Sequence, residues 1–163
     1  MRRPLHDDPD RTTPIGLVRY AHEFLLGALA VNDKFADDSR YQRIPPIPAL
    51  YLAGHSLELS LKAYLAYRGV PLKTLRREYG HELHGALRKA KELGLGDSVT
   101  LDGAEEAAVE ILDDLYSTKQ LEYIVTGAKV YPVWGLIETS GVKVFNAVAA
   151  VVGYGERFEG YHF

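Results

Sequence analysis

At 163 residues the chain suits one domain, and its hydrophobic fraction of 47% is enough to build a core. It has no cysteine, which removes disulfides, thiolate metal sites and cysteine nucleophiles together and fits a reducing, cytoplasmic setting. A net charge of −3 argues against strong non-specific nucleic-acid binding by the chain as a whole.

Residues 1–13 are polar, contain Pro4 and Pro9, and are expected to be a flexible segment. The start Met1-Arg2-Arg3-Pro4 has no apolar stretch behind its arginines, so it does not read as a secretory signal. Thr13-Pro14 then offers a capping hydroxyl ahead of a proline at the first helical position. Leu17, Tyr20, Ala21, Phe24, Ala28, Val31 and Phe35 recur at three- and four-residue steps, which predicts a helix ending near Asp37. Pro45, Pro46 and Pro48 mark a connector.

The most strongly patterned segment is Pro48 to Gly69. On a helical wheel, Ala53, Gly54, Leu57, Leu61, Tyr64 and Leu65 share a side with Leu50, while Leu52, Leu59, Ala63 and Ala66 lie opposite. A helix apolar on two sides is expected at the centre of the domain. Between those sides runs a polar seam of Tyr51, His55, Glu58 and Lys62. Glu58 and Lys62 have the favourable i,i+4 order. The seam reads either as a binding or proton-transfer cluster or as a solvated stripe.

Val70 to Tyr79 is a basic connector with room for a helical turn. His81 to Leu93 predicts a shorter helix, with Leu83, Ala86, Leu87, Ala90 and Leu93 inward and Gly94 closing it. Asp102 with Glu105 three residues on is the pattern of a capping box, opening a helix that carries Ala108, Ile111, Leu112 and Leu115. Residues 121–132 are rich in Tyr, Val, Ile and Thr, and their conformation is left open. Trp134 to Val152 has a helical stripe of Ile137, Gly141, Val144, Phe145 and Val148, and the rest is a short aromatic tail. No run in the chain reaches the roughly 18 apolar residues of a membrane span, so no membrane role is expected. The expected fold is all-α, an antiparallel up-and-down bundle of four to five helices over residues 14–152, with a tail at 153–163.

Charge is unevenly spread. Residues 73–92 hold six cationic and three acidic side chains, while 97–122 hold eight acidic and one cationic. This is the pattern of an anion site, of complementary subunit faces, or of two solvated helix faces. The stretch Arg76-Arg77-Glu78-Tyr79-Gly80-His81-Glu82-Leu83-His84 is the richest in chemistry. His81 and His84 would share a helix face, but the second histidine comes one residue too early for His-Glu-x-x-His, so no metal is expected. Arginines beside a helix N-terminus suit an anion. No P-loop, dinucleotide fingerprint, nucleophile elbow or EF-hand loop is present, and no cofactor is expected.

The run Tyr51-Leu-Ala-Gly-His-Ser-Leu-Glu-Leu-Ser-Leu-Lys-Ala-Tyr-Leu65, then Gly69-Val-Pro-Leu-Lys-Thr-Leu75, Tyr79-Gly-His-Glu-Leu83 and Ala90-Lys-Glu-Leu-Gly-Leu95, resembles the HEPN superfamily; Ala21-His-Glu-Phe24 fits as well. The likeness covers residues 50–95 well and 14–152 loosely. It implies an antiparallel helical bundle, often a homodimer, that binds RNA or a nucleotide or partners a small nucleotidyltransferase. Tyr51, His55, Glu58, Lys62 and Arg77 are the binding candidates. Other members of the superfamily are metal-independent ribonucleases or toxins paired with an antitoxin, and they carry Arg-x(4–6)-His at the start of a late helix. That spacing occurs here at Arg76–His81, Arg77–His84 and Arg157–His162, but between the central helix and the next, or in the tail. A binding module without catalysis is therefore the first expectation. A ribonuclease using Arg76, His81 and His84, or Arg157 and His162, is the second, and a pure protein-interaction domain the third.

Overall fold

Thr13 opens the first helix as its sequence predicts, its hydroxyl accepting from the Gly16 amide at 3.1 Å. The computed structural model describes residues 8–161, and within them every regular element is helical. Helix α1 is Pro14–Lys34 and α2 is Ile47–Tyr67. A short α3, Leu72–Thr74, runs straight into a π turn, Leu75–Tyr79. Helices α4, Leu83–Glu92, α5, Gly103–Ser117, and α6, Trp134–Val152, follow.

Helix α2 is the centre, as its two-sided apolar pattern requires. It packs against α1, α4, α5 and α6, and thirteen of its residues are buried. It starts at Ile47, with Pro48 inside its first turn, where a missing amide costs nothing. It stops at Tyr67 because Gly69 turns left-handed (φ 87°), letting the Val70 and Gly69 amides bond the Leu65 and Ala66 carbonyls.

Pairs of contacts give the directions of the helices. Ser56 donates to the Ala21 carbonyl and His55 meets Phe24, while the Gly27 backbone faces Leu52, so α1 and α2 are antiparallel. His22 against Phe145 and Leu25 against Gly141 make α1 and α6 antiparallel too. Lys91 with Glu106 and His84 with Glu110 do the same for α4 and α5. The basic α4 and the acidic α5 thus lie side by side, joined by these two contacts.

Several boundaries and faces differ from expectation. Helix α1 ends at Lys34 rather than near Asp37, where the Phe35 amide turns back to Asn32 and Asp33. Its buried stripe is Val18, Ala21, Leu25 and Ala28, and Tyr20 is exposed, because α1 must face both α2 and α6. Helix α4 starts at Leu83, so His81 precedes it and shares no helix face with His84. Its first amide is capped across space by Asp113 of α5 at 2.7 Å. The capping box at Asp102 and Glu105 forms, and Lys143 of α6 adds an ion pair to the buried Glu105 carboxylate at 2.8 Å. Residues 118–133 form no regular element.

By length and mean hydropathy (19 residues, 1.4), α6 would also suit a membrane crossing, although no unbroken apolar run marks it. In this fold its Ile137, Val142, Val144, Phe145, Val148 and Ala149 are buried. The tail lies against it. The Asn146 amide holds the Phe158 backbone through two hydrogen bonds of 2.9 and 3.0 Å, and the Tyr161 hydroxyl donates to Glu138 at 2.6 Å.

Candidate functional site

The polar seam of α2 faces α5 and the turn before α4. Glu58, one helical turn after His55 and one before Lys62, is only 5% exposed. Its two oxygens divide the work. Oε1 accepts from the Lys62 ammonium at 2.5 Å. Oε2 accepts from the Tyr116 hydroxyl at 2.5 Å and from His81 Nδ1 at 3.0 Å, with His55 Nδ1 at 3.5 Å.

These contacts assign the protons. An ionised carboxylate only accepts, so Tyr116 and His81 both donate to it. The Tyr116 proton being committed, His55 Nδ1 must donate to the phenol oxygen, 2.9 Å away. Both imidazoles therefore carry a proton on Nδ1, and His81 Nε2, which has no partner among the described residues, can accept a proton and, once protonated, donate to an anion. Aromatic rings complete the wall. Phe24 meets His55 edge-on at 4.4 Å, and Tyr51 lies parallel to His55 at 6.3 Å.

Burial by itself would raise the Glu58 pKa. The His55 N–H beside it, the charge and hydrogen bond of Lys62, and the Tyr116 hydroxyl outweigh it and hold the carboxyl well below the usual range. Tyr116 moves the other way. Burial first, then the adjacent Glu58 charge and the hydrogen bond to it, push its phenol far above the ordinary value. Tyr116 is thus a fixed neutral donor, and Glu58 a fixed anion.

His81 and Lys62 also border a cleft of about 450 Å³, lined in addition by Arg76 and by Leu17, Leu59, Leu72 and Leu75. Arg76 comes from the π turn, His81 from the loop behind it and Lys62 from α2. Gly80 allows the tight return between them, with φ 23°. The lining thus combines four leucines with the cations Lys62 and Arg76.

The structure brings Tyr51, His55, Glu58, Lys62 and His81 into one cluster, with Arg76 in the adjoining cleft. It separates the others. Arg77 is exposed and pairs with Glu78 at 2.7 Å. His84, inside α4, lies 3.2 Å from Glu110 of α5 instead. Arg157 folds back onto the carbonyls of Tyr154 and Glu156, and His162 lies outside the described residues. Among the described residues no three histidine or acidic side chains are grouped as a metal ion would need. Tyr116 was missed by sequence reasoning. It sits fifty-eight positions from Glu58 on a different helix, and nothing near it in the chain marks it.

Set against family models, curated proteins and solved structures, the chain has no significant match.

Proposed function

We propose that this chain is a HEPN-like helical module that binds the phosphate of an RNA or nucleotide in the cleft between α2 and the π turn. The antiparallel pairs α1–α2, α1–α6 and α4–α5 support a bundle of that kind, although α2 runs parallel to α4 and α6. One observation carries the reading: Lys62, Arg76 and His81, from three separate elements, line one cleft, with His81 oriented by a buried carboxylate. Cations on a leucine-lined cleft suit a charged phosphate joined to a less polar body. Titration with a labelled mononucleotide and with a short labelled RNA tests it. Arg76→Ala and His81→Ala should each weaken binding by about tenfold, the scale of one charged hydrogen bond. Failure of both probes to bind would leave a protein-interaction domain as the better reading.

A second reading, metal-independent RNA cleavage, has its own support. Glu58 holds His81 Nδ1–H, leaving Nε2 to exchange a proton, while Arg76 lies in the same cleft. Cleavage of labelled RNA in EDTA, abolished by His81→Ala, would establish it; binding without cleavage keeps the module non-catalytic.

A further inference from the structure

His81 belongs to the buried network and to the cleft at once. Its Nδ1–H is held by Glu58 Oε2 at 3.0 Å, and its ring stands edge-on to Tyr116 at 5.8 Å. Its side chain is still 51% exposed and lines the cleft with Lys62 and Arg76. One ring nitrogen is thus fixed on a buried carboxylate, while Nε2 has no partner among the described residues. With a neutral ring, Nε2 presents only a lone pair, which an anion does not want. The imidazolium presents a donor and a charge.

The charges around His81 favour that added proton when an anion arrives. Lys62 Nζ stands 2.5 Å from Glu58 Oε1, so its charge is already answered inside the protein. A phosphate beside this pair adds negative charge close to a buried carboxylate, and a proton on His81 offsets it. Arg76, from the π turn, is a permanent cation and takes up no proton. Tyr116, pushed far above its ordinary pKa, stays neutral. Glu82 turns its carboxylate over Gly85, 3.5 Å from where a Cβ would stand, and Asp113 holds the Leu83 amide. Thr12 and Leu17, which border the cleft beside α1, do not titrate in this range. The rival is His55, whose Nδ1 lies 3.5 Å from the same Glu58 oxygen. A single carboxylate that already balances Lys62 does not support two imidazolium rings, so one proton is expected rather than two.

We propose that phosphate binding in this cleft is coupled to the uptake of one proton by His81, so that the ligand is held near neutrality and released as the solution turns alkaline. The inference rests on the reading of the cleft as a phosphate site and adds how that site is regulated. The bound state favours the imidazolium. Affinity is therefore highest where His81 is already protonated and falls as pH rises through the range in which histidines titrate.

Binding of a short labelled 2′-O-methyl RNA without terminal phosphates tests it, in phosphate-free buffers from about pH 6 to pH 8. The phosphodiesters keep one charge each across this range, whereas a terminal phosphate would itself titrate near pH 6. The wild-type Kd should rise about tenfold, the scale of one charged hydrogen bond. On a logarithmic scale the rise should be no steeper than one proton allows. His81→Asn should bind more weakly and with the same Kd at every pH, far-UV circular dichroism confirming its helices. His55→Asn, checked in the same way, should keep the rise. A wild-type Kd indifferent to pH, a rise that survives His81→Asn, or one lost in a folded His55→Asn would overturn the coupling and leave the phosphate site standing. No binding at any pH would remove both.

Discussion

The backbone of Gly54 lies directly against the Tyr116 ring: a Cβ built on Gly54 would stand 2.8 Å from Tyr116 Cδ2. No side chain fits there, so the missing Cβ is what lets the phenol reach Glu58. Gly54→Ala must push the ring aside or move α5 away from α2. Overpacking of this kind costs about 1–3 kcal/mol. Urea unfolding should show that loss even though alanine is the better helix former, and Gly54→Ala/Tyr116→Leu should recover part of it. An unchanged or raised midpoint for the single variant would mean that the contact is not tight.

Glu58→Gln keeps the shape of the side chain and removes its charge. Lys62, whose side chain is 17% exposed, then loses its carboxylate. Breaking a buried pair from one side costs about 3–5 kcal/mol, and the partial exposure of Lys62 brings the expected loss to about 2 kcal/mol. Glu58→Gln/Lys62→Met should be more stable than Glu58→Gln alone. Equal stability of the two would show that Lys62 finds water readily and that the pair is incidental.

Acid should act through the same carboxylate. The folded Glu58 has a pKa below its ordinary value of 4.5, so its contribution is complete above that pH and is lost as pH falls through the lower folded value. The stability gap between wild type and Glu58→Gln should therefore shrink between about pH 6 and pH 3. A gap that stays constant on acidification would contradict the low pKa.

Tyr116 predicts the alkaline side. Its folded pKa is raised above the ordinary 10.0, so its contribution holds below that pH and fades as pH rises through the folded value. In an absorbance titration of the native protein, Tyr116→Phe should leave the phenolate signal near pH 10 unchanged. Tyr161, pushed up to about 12 by burial and by its hydrogen bond to Glu138, should also titrate late.

Asp113 should matter to α4 alone. Its carboxylate caps the Leu83 amide, and replacing such a cap by alanine costs about 0.5–2 kcal/mol. Asp113→Ala should speed hydrogen exchange in the first turn of α4, and Asp113→Asn, which keeps an acceptor oxygen, should do so less. Equal exchange in both variants would rule out the cap.

How much of this was legible in the chain depends on distance along it. The Thr13 cap, the Asp102–Glu105 capping box and the Gly69 stop were readable because partner and signal lie within a few residues. The stripe of α6 was readable because helical period is a local property. Faces were less so: α1 turns Val18 and Leu25 inward and leaves Tyr20 outside, since the direction of a stripe depends on which neighbours it meets. The start of α4 was misplaced because its cap comes from α5.

For the seam of Tyr51, His55, Glu58 and Lys62, the sequence by itself determined one thing: helical spacing places these polar side chains along one line of a mostly apolar helix. Whether that line met water or protein was outside its reach. Tertiary structure decided it by setting Tyr116 and His81 over Glu58, burying the carboxylate and adding their hydrogen bonds to the support it has from His55 and Lys62 on its own helix. A buried charge requires several donors at once, and only a folded chain can bring them there from three different elements.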